Sequence, residues 1–185
     1  MIKRLLFVIS NSSISGAEKQ LLLLLKNLNK TKYNFEVCCL DQSGSFTDAV
    51  SELGLTVHVS GRSKKYDIAR LIFLIKLINK NDYSCLISYC YSANQYTRMA
   101  SFITGKPNIA CERGHDYTSK SIENFLIKVL SPISDLILFN SKIQMASYKD
   151  HVKYFQPKTK CIYNGISTND IGDKKKLDEQ IQNAY

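Results

Sequence analysis

Ser15-Gly16-Ala17-Glu18 stands between the apolar run Leu5-Leu6-Phe7-Val8-Ile9 and the leucine block Leu21 to Leu25. That spacing reads as strand, short polar loop, glycine and helix. Backbone N–H groups and the positive end of a helix dipole then point at whatever lies above the strand, and an anionic phosphate suits such a place. A glycine lets a ligand approach the backbone where a Cβ would collide. Ser15 and Glu18 read better as a capping box that satisfies the end N–H groups. The loop is not G-x-G-x-x-G, so a nicotinamide or flavin site is poorly supported. Tyr154-x-x-x-Lys158 has the spacing of a reductase catalytic pair, but Pro157 interrupts the helix that would align the two. The six cysteines contain no C-x-x-C pair. Adjacent Cys38 and Cys39 would point to opposite faces of a strand, so buried reduced thiols are expected rather than disulfides, and no metal site.

The elements that must position these residues follow from apolar runs and their breaks. Leu5–Ile9, Phe35–Leu40, Leu55–Val59, Cys85–Tyr89, Ile109–Cys111, Leu136–Phe139 and Cys161–Tyr163 read as strands. Several are apolar throughout, as parallel strands buried on both faces are. Helices are expected near 17–29, 46–53, 67–80, 93–104, 120–130 and 142–152. Ser15-x-x-Glu18, Ser45-x-x-Asp48 and Ser141-x-x-Gln144 mark helix starts, and Gly105-Lys106-Pro107 ends a helix before the next strand. Strand and helix alternate over the whole length, which predicts an α/β, doubly wound, mainly parallel, Rossmann-like sheet of about seven strands. The composition turns polar from about Gly172, so residues 172–185 read as a tail or the start of a further domain.

At 185 residues the chain can bury a full core, and its 44% hydrophobic and 22% charged composition is that of an ordinary globular protein. No apolar run approaches the roughly 20 residues of a membrane span. The apolar segment after Arg4 is also shorter than an export signal requires, so a cytoplasmic location is expected. The net charge of +9 implies an anionic partner surface or a lysine-rich solvated one. In the 67–80 helix, Arg70, Lys76 and Lys80 fall within one arc of an otherwise apolar cylinder. Such a helix could lie on an anionic membrane, or be a core helix whose cationic stems reach water. No helix-turn-helix, RRM or zinc pattern appears, so nucleic acid is not an expected partner.

Strand, then Ser-Gly-Ala-Glu-Lys-Gln and a leucine-rich helix, resembles the G-G-A-E-R opening of family 4 glycosyltransferases of the GT-B type. Ser92-Ala93-Asn94 with Arg98-Met99-Ala100, Pro107-x5-Arg113, Phe139-Asn140-Ser141 and Ile162-Tyr163-Asn164-Gly165-Ile166 are similar to later segments of that family, in its order and at its spacing. The resemblance covers about residues 2–171 and is to the amino-terminal, acceptor-side domain.

The resemblance implies transfer of a sugar from a nucleotide-sugar, a co-substrate rather than a cofactor, with retention at the anomeric carbon and without metal. The acceptor would be a glycan or a lipid-linked sugar, in bacterial-type surface polysaccharide or glycolipid assembly at the inner face of the cell membrane. Ser15, Gly16 and Ala17 would lie by the donor diphosphate, and Asn94, Arg113, His115, Ser141 and Asn164 would line the acceptor cleft. Arg113 and His115 are the catalytic candidates. A guanidinium can hold a phosphate or sugar hydroxyls in two-point fashion but cannot act as a base near neutral pH, whereas His115 can titrate. Asn94, Ser141 and Asn164 read equally as caps and turn residues. The family's donor-binding residues belong to a second domain that nothing after Ile171 could build. The expectation is therefore half an enzyme, completed by a donor-side domain on another chain, or else a non-catalytic relic or binding module of the same fold.

Overall fold

A computed structural model describes residues 2–62, 67–118, 121–152 and 157–166. Seven strands form one sheet: β1 (Lys3–Ile9), β2 (Tyr33–Cys39), β3 (Val57–Val59), β4 (Cys85–Tyr89), β5 (Asn108–Glu112), β6 (Leu136–Phe139) and β7 (Thr159–Cys161). They lie in the order β3-β2-β1-β4-β5-β6-β7, and every pairing is parallel. The connecting helices are α1 (Gly16–Asn27), α2 (Ser45–Glu52), α3 (Ile68–Lys80), α4 (Cys90–Thr104), α5 (Ile122–Leu130) and α6 (Lys142–His151). The doubly wound reading from sequence holds.

Right-handed crossovers dictate which face each helix covers. Steps from β1 to β2 to β3 run toward one edge, so α1 and α2 share a face. The later steps run the other way and put α3, α4, α5 and α6 on the opposite face. The buried clusters agree. Leu5, Phe7, Ile9, Phe35, Val37 and Cys39 pack under Leu21 and Leu25 of α1 and Phe46 and Val50 of α2. Leu6, Val8, Cys38 and Leu86 pack under Leu71, Leu74 and Ile78 of α3 and Ala93 and Ala100 of α4, and Ile137 and Phe139 pack with Ile127 and Tyr148. Cys38 and Cys39 do face opposite ways.

The α3–α6 face is closed across the sheet, whereas α1 and α2 cover only the β1–β3 half of theirs. Ile87, Ile109 and Leu138, which alternate with the fully buried Leu86, Ala110 and Ile137, are accordingly only half-buried. Together with Leu5, Phe7, Tyr89 and Cys111 they floor a trough of about 720 Å³ between α1 and the segment 162–166.

Three sequence expectations need correction. The last strand is Thr159–Cys161 rather than Cys161–Tyr163, because Ile137 N–H bonds to Lys158 O and Ile162 N–H to Phe139 O, where the ladder ends. Ile162 and Tyr163 run past the sheet and form the far wall of the trough. Ser45 is inside α2 rather than its cap. Gly44 takes the cap position, its N–H bonded to Thr47 Oγ1 at 2.9 Å. A Cβ on Gly44 would come within 2.8 Å of Ser12 O, so glycine is required where the two loops meet. Arg70 is buried instead of lying in a cationic stripe with Lys76 and Lys80; it donates to Arg62 O at 2.8 Å. Leu24, on the same helix as the buried Leu21 and Leu25, faces the trough and is exposed. Tyr154 and the polar tail lie outside the described residues.

Candidate functional site at the crest of the sheet

The carboxyl ends of β1, β4, β5, β6 and β7 form one crest, where ligands of open α/β sheets bind. At β1 the chain turns through Asn11 to Ser15 into α1. Ser15 N–H donates to Glu18 Oε2 at 3.1 Å, and its hydroxyl bonds to the same carboxylate. Lys19 N–H reaches Ser15 O at 2.9 Å. Glu18 is thereby turned under the helix end, while Ser15 and Gly16 stay exposed. The N–H groups of Gly16 and Ala17 precede the first intrahelical bond, so the positive helix end faces outward there. An added Cβ on Gly16 would meet no atom within 4 Å. The fold therefore does not need glycine at this position.

One turn further, the Gln20 side chain clasps the segment after β7. Its amide nitrogen donates to Gly165 O at 2.9 Å, and its oxygen accepts from Gly165 N–H at 3.0 Å. The preceding residue, Asn164, accepts from Arg113 Nη1 at 2.7 Å. Arg113 leaves the end of β5 with its guanidinium 5.5 Å from the centre of the Tyr89 ring, a cation–π distance. Its Nε is buried without a partner. Asn164 is neutral, so hydrogen bonding leaves the cation uncompensated. Gln20, Arg113, Asn164 and Gly165 thus belong to one rim beside the trough, and Gly16 lies one helical turn before Gln20.

His115 sits across the crest on the other side of β5. Gly114, at φ +67, turns the chain so that the imidazole stacks on Tyr91, with ring centres 5.3 Å apart and 13° between planes. Its Nε2 is 2.8 Å from Asn124 Oδ1, while Asn124 Nδ2 donates to Asp116 O at 3.0 Å. The amide oxygen therefore faces the ring, Nε2 carries the proton, and Nδ1 is the remaining lone-pair site. Ser141 caps α6, accepting from Gln144 N–H at 3.5 Å. With its amide oxygen toward the loop, Gln144 accepts from Gly114 and His115 N–H at 2.8 and 2.9 Å. The structure places Asn94 beneath the crest rather than on it. It is 0% exposed, accepts from Ser88 Oγ at 2.7 Å and donates to Cys111 O at 3.2 Å.

The sequence profile of Glycosyltransferase Family 4 matches residues 14–170, from the turn before Gly16 to beyond Asn164. The chain belongs to that family. It is 26% identical to the Staphylococcus aureus capsular polysaccharide biosynthesis glycosyltransferase CapH, over 97% of its own length and 51% of that protein's. Anabaena Alr3699/HepE, solved in complex with UDP, superposes with a TM-score of 0.68 at 19% identity, over 97% of this chain and 50% of that one. The lipopolysaccharide outer core galactosyltransferase WaaB gives 0.62 at 15%, over 89% and 46%. The chain spans about half the length of each.

Cys90 is a feature of this glycosyltransferase domain that spacing did not single out. It joins β4 to α4 at φ +68, a left-handed conformation that costs a non-glycine residue about 1–2 kcal/mol. Strain at the crest invites a nucleophile reading, but the environment opposes it. Burial, then the charges of Glu18 and Glu112, push its thiol up to about 11, and burial raises Cys111 to about 12. Both stay protonated at neutral pH and are poor nucleophiles. Gln20 and Gln144 were not singled out as site residues either. No grouping of three His, Cys, Asp or Glu side chains suited to a metal ion occurs among the described residues. Nor does any described helix have the length and apolarity to cross a membrane.

Proposed function

We propose that this domain is the acceptor-side half of a retaining glycosyltransferase. It would take part in transfer of a sugar from a nucleotide-sugar to a glycan or lipid-linked acceptor, at an anionic membrane surface. The observation that carries the reading is Arg113, a cation held at the rim of an open trough by one neutral partner and an aromatic ring. Fixed positive charge aimed at an anion from a partly water-excluded site stabilises developing negative charge without reorganisation. Arg113 would hold acceptor phosphate or hydroxyl oxygens, while Gly16 and Ala17 present N–H groups to the donor diphosphate. His115 Nδ1 would accept or return a proton at the acceptor side. A donor-binding domain, which relatives of twice this length have room for, would close the other wall. The UDP bound by HepE makes a uridine diphosphate sugar the first donor to try.

The test joins this chain to the donor-binding half of CapH and follows transfer from radiolabelled UDP-sugars to lipid and glycan acceptors. Turnover is expected in the joined protein and not in the chain alone. Turnover by the chain alone would overturn the shared-site reading. Two folded halves that transfer nothing would favour a binding module.

A further inference from the structure

The wall built by α3, α4 and α5, on the side away from the trough, has an unusual outer surface. The exposed positions of α3 are Ile68, Ile72, Lys76, Asn79 and Lys80, and those of α5 are Ile122, Phe125, Lys128 and Val129. The end of α4 adds Phe102, at 76% exposure, and Ile103. A surface helix ordinarily turns its single apolar stripe inward. Here Leu71, Leu74 and Ile127 already do so, and the exposed isoleucines and Phe125 form a second stripe facing out. Between α3 and α5, over α4, runs a groove of about 300 Å³ with Tyr91, Tyr96 and Met99 on its floor and Leu71 and Leu126 in its walls.

Charge decides what fits this surface. The exposed ionic side chains of the three helices are Lys76, Lys80 and Lys128, and their one carboxylate, Glu123, is half-buried with a partner inside the molecule. Protein–protein interfaces are depleted in lysine, and a two-fold contact between copies would set these lysines against one another. An apolar surface whose helices carry lysines and no exposed carboxylate, with the bordering Asp82 paired to Lys106 and Asp135 accepting from Asn108 N–H, instead matches an interface of acyl chains and anionic headgroups.

We propose that the α3–α4–α5 wall seats on an anionic bilayer and that the groove over α4 takes one hydrocarbon chain of a lipid from it. This rests on the membrane-surface part of the proposed function and adds the face and the subsite. Tyr91, at the crest end of the groove, is the ring on which His115 stacks. A lipid whose chain lies in the groove therefore has its headgroup beside His115.

The chain contains no tryptophan, so single reporters can be introduced one at a time. Phe125→Trp reports the outer stripe, Leu126→Trp the groove wall and Leu24→Trp the trough on the other face. Each is checked for folding by circular dichroism and mixed with phosphatidylcholine vesicles with and without phosphatidylglycerol. The expected result is flotation of the wild-type chain with phosphatidylglycerol vesicles only. Emission from Phe125→Trp and Leu126→Trp should shift to the blue and be quenched by chain-brominated lipid, with Leu24→Trp unchanged. Replacing Lys76, Lys80 and Lys128 together by Glu should weaken vesicle binding roughly tenfold or more. Failure to bind vesicles at low salt would overturn both this inference and the membrane location. Quenching of Leu24→Trp instead of Phe125→Trp would leave the location standing and overturn the face. Quenching of Phe125→Trp without Leu126→Trp would overturn the groove, and a concentration-dependent blue shift without lipid would assign the wall to contacts between copies.

Discussion

Glu112 and Arg113 are adjacent in the chain and point to opposite faces of the sheet, and the two faces treat charge differently. On the closed face, Glu112 and Arg98 are both 0% exposed. The guanidinium donates to Glu112 Oε1 at 3.0 Å, Ser134 Oγ at 2.9 Å and Gln95 Oε1 at 3.3 Å. Glu36 shares that face with Leu6, its register partner, and gathers Arg4 Nε at 3.1 Å, His58 Nε2 at 2.7 Å and Tyr83 Oη at 2.7 Å. On the trough face, Arg113 has an amide and an aromatic ring. Charges that hold the fold are paired where helices cover them, and the charge proposed to meet a ligand is the one at the face left open. The contrast implies that stability and activity are lost through different residues.

Breaking the buried pair should give the largest effect. Arg98→Met leaves Glu112 enclosed without its cation and should destabilise the domain by about 3–5 kcal/mol. The Arg98→Met/Glu112→Gln double variant should recover a large part, read as urea midpoints. Equal loss in both would show that packing rather than charge sets the effect. Gly44→Ala comes next, at about 2 kcal/mol, since its Cβ would collide with backbone rather than a movable side chain.

The Glu36 cluster sharpens the comparison through pH. Although burial alone would raise it, hydrogen bonds from His58, Tyr83 and Arg4 together lower its carboxyl pKa to about 2, from an ordinary 4.5. A folded-state value below the unfolded one means a contribution fully present above pH 4.5 that is lost as pH falls toward 2. Denaturation midpoints should therefore fall across that window in the wild type and less steeply in Glu36→Gln. Identical slopes would remove this cluster from the account of acid stability.

The closed face was the more legible one in the sequence. Strands buried on both sides are continuous apolar runs, so six of the seven were placed near their observed positions, and the capping patterns at Ser15 and Ser141 marked real helix starts. The exception, β7, misled because Ile162 and Tyr163 are apolar for the sake of the trough wall rather than a ladder. Arg70 looked like a surface cation because helical spacing gives an angle but not what packs there, and the loops carrying Arg62 O and Asp41 cover it. The rim was only partly readable. Gln20 and Gly165 are 145 residues apart, and a polar side chain clasping a distant peptide leaves no periodic trace. Asn94 shows the converse: a polar residue near the crest can be wholly used in bracing β4, α4 and β5.

The smallest structural effects belong to the rim, and there the comparison is most exposed to failure. Arg113→Ala removes one hydrogen bond and a cation–π contact, so stability should change by about 1 kcal/mol or less. Transfer by the completed enzyme should nonetheless fall about 100-fold, the order found when one preorganised charge-stabilising donor is lost. Arg113→Lys should restore little of it, since one ammonium cannot reproduce a planar fork. Gly16→Ala is gentler still. A Cβ there meets nothing, and alanine suits a first helical turn, so the urea midpoint should stay within about 0.5 kcal/mol of wild type or rise. If the open space above Gly16 is reserved for a diphosphate, the same methyl group should weaken donor use in the completed enzyme while leaving acceptor binding untouched. Unchanged donor kinetics in a normally folded Gly16→Ala variant would reduce this glycine to a helix start, and leave Arg113 alone as the charge that marks the open face.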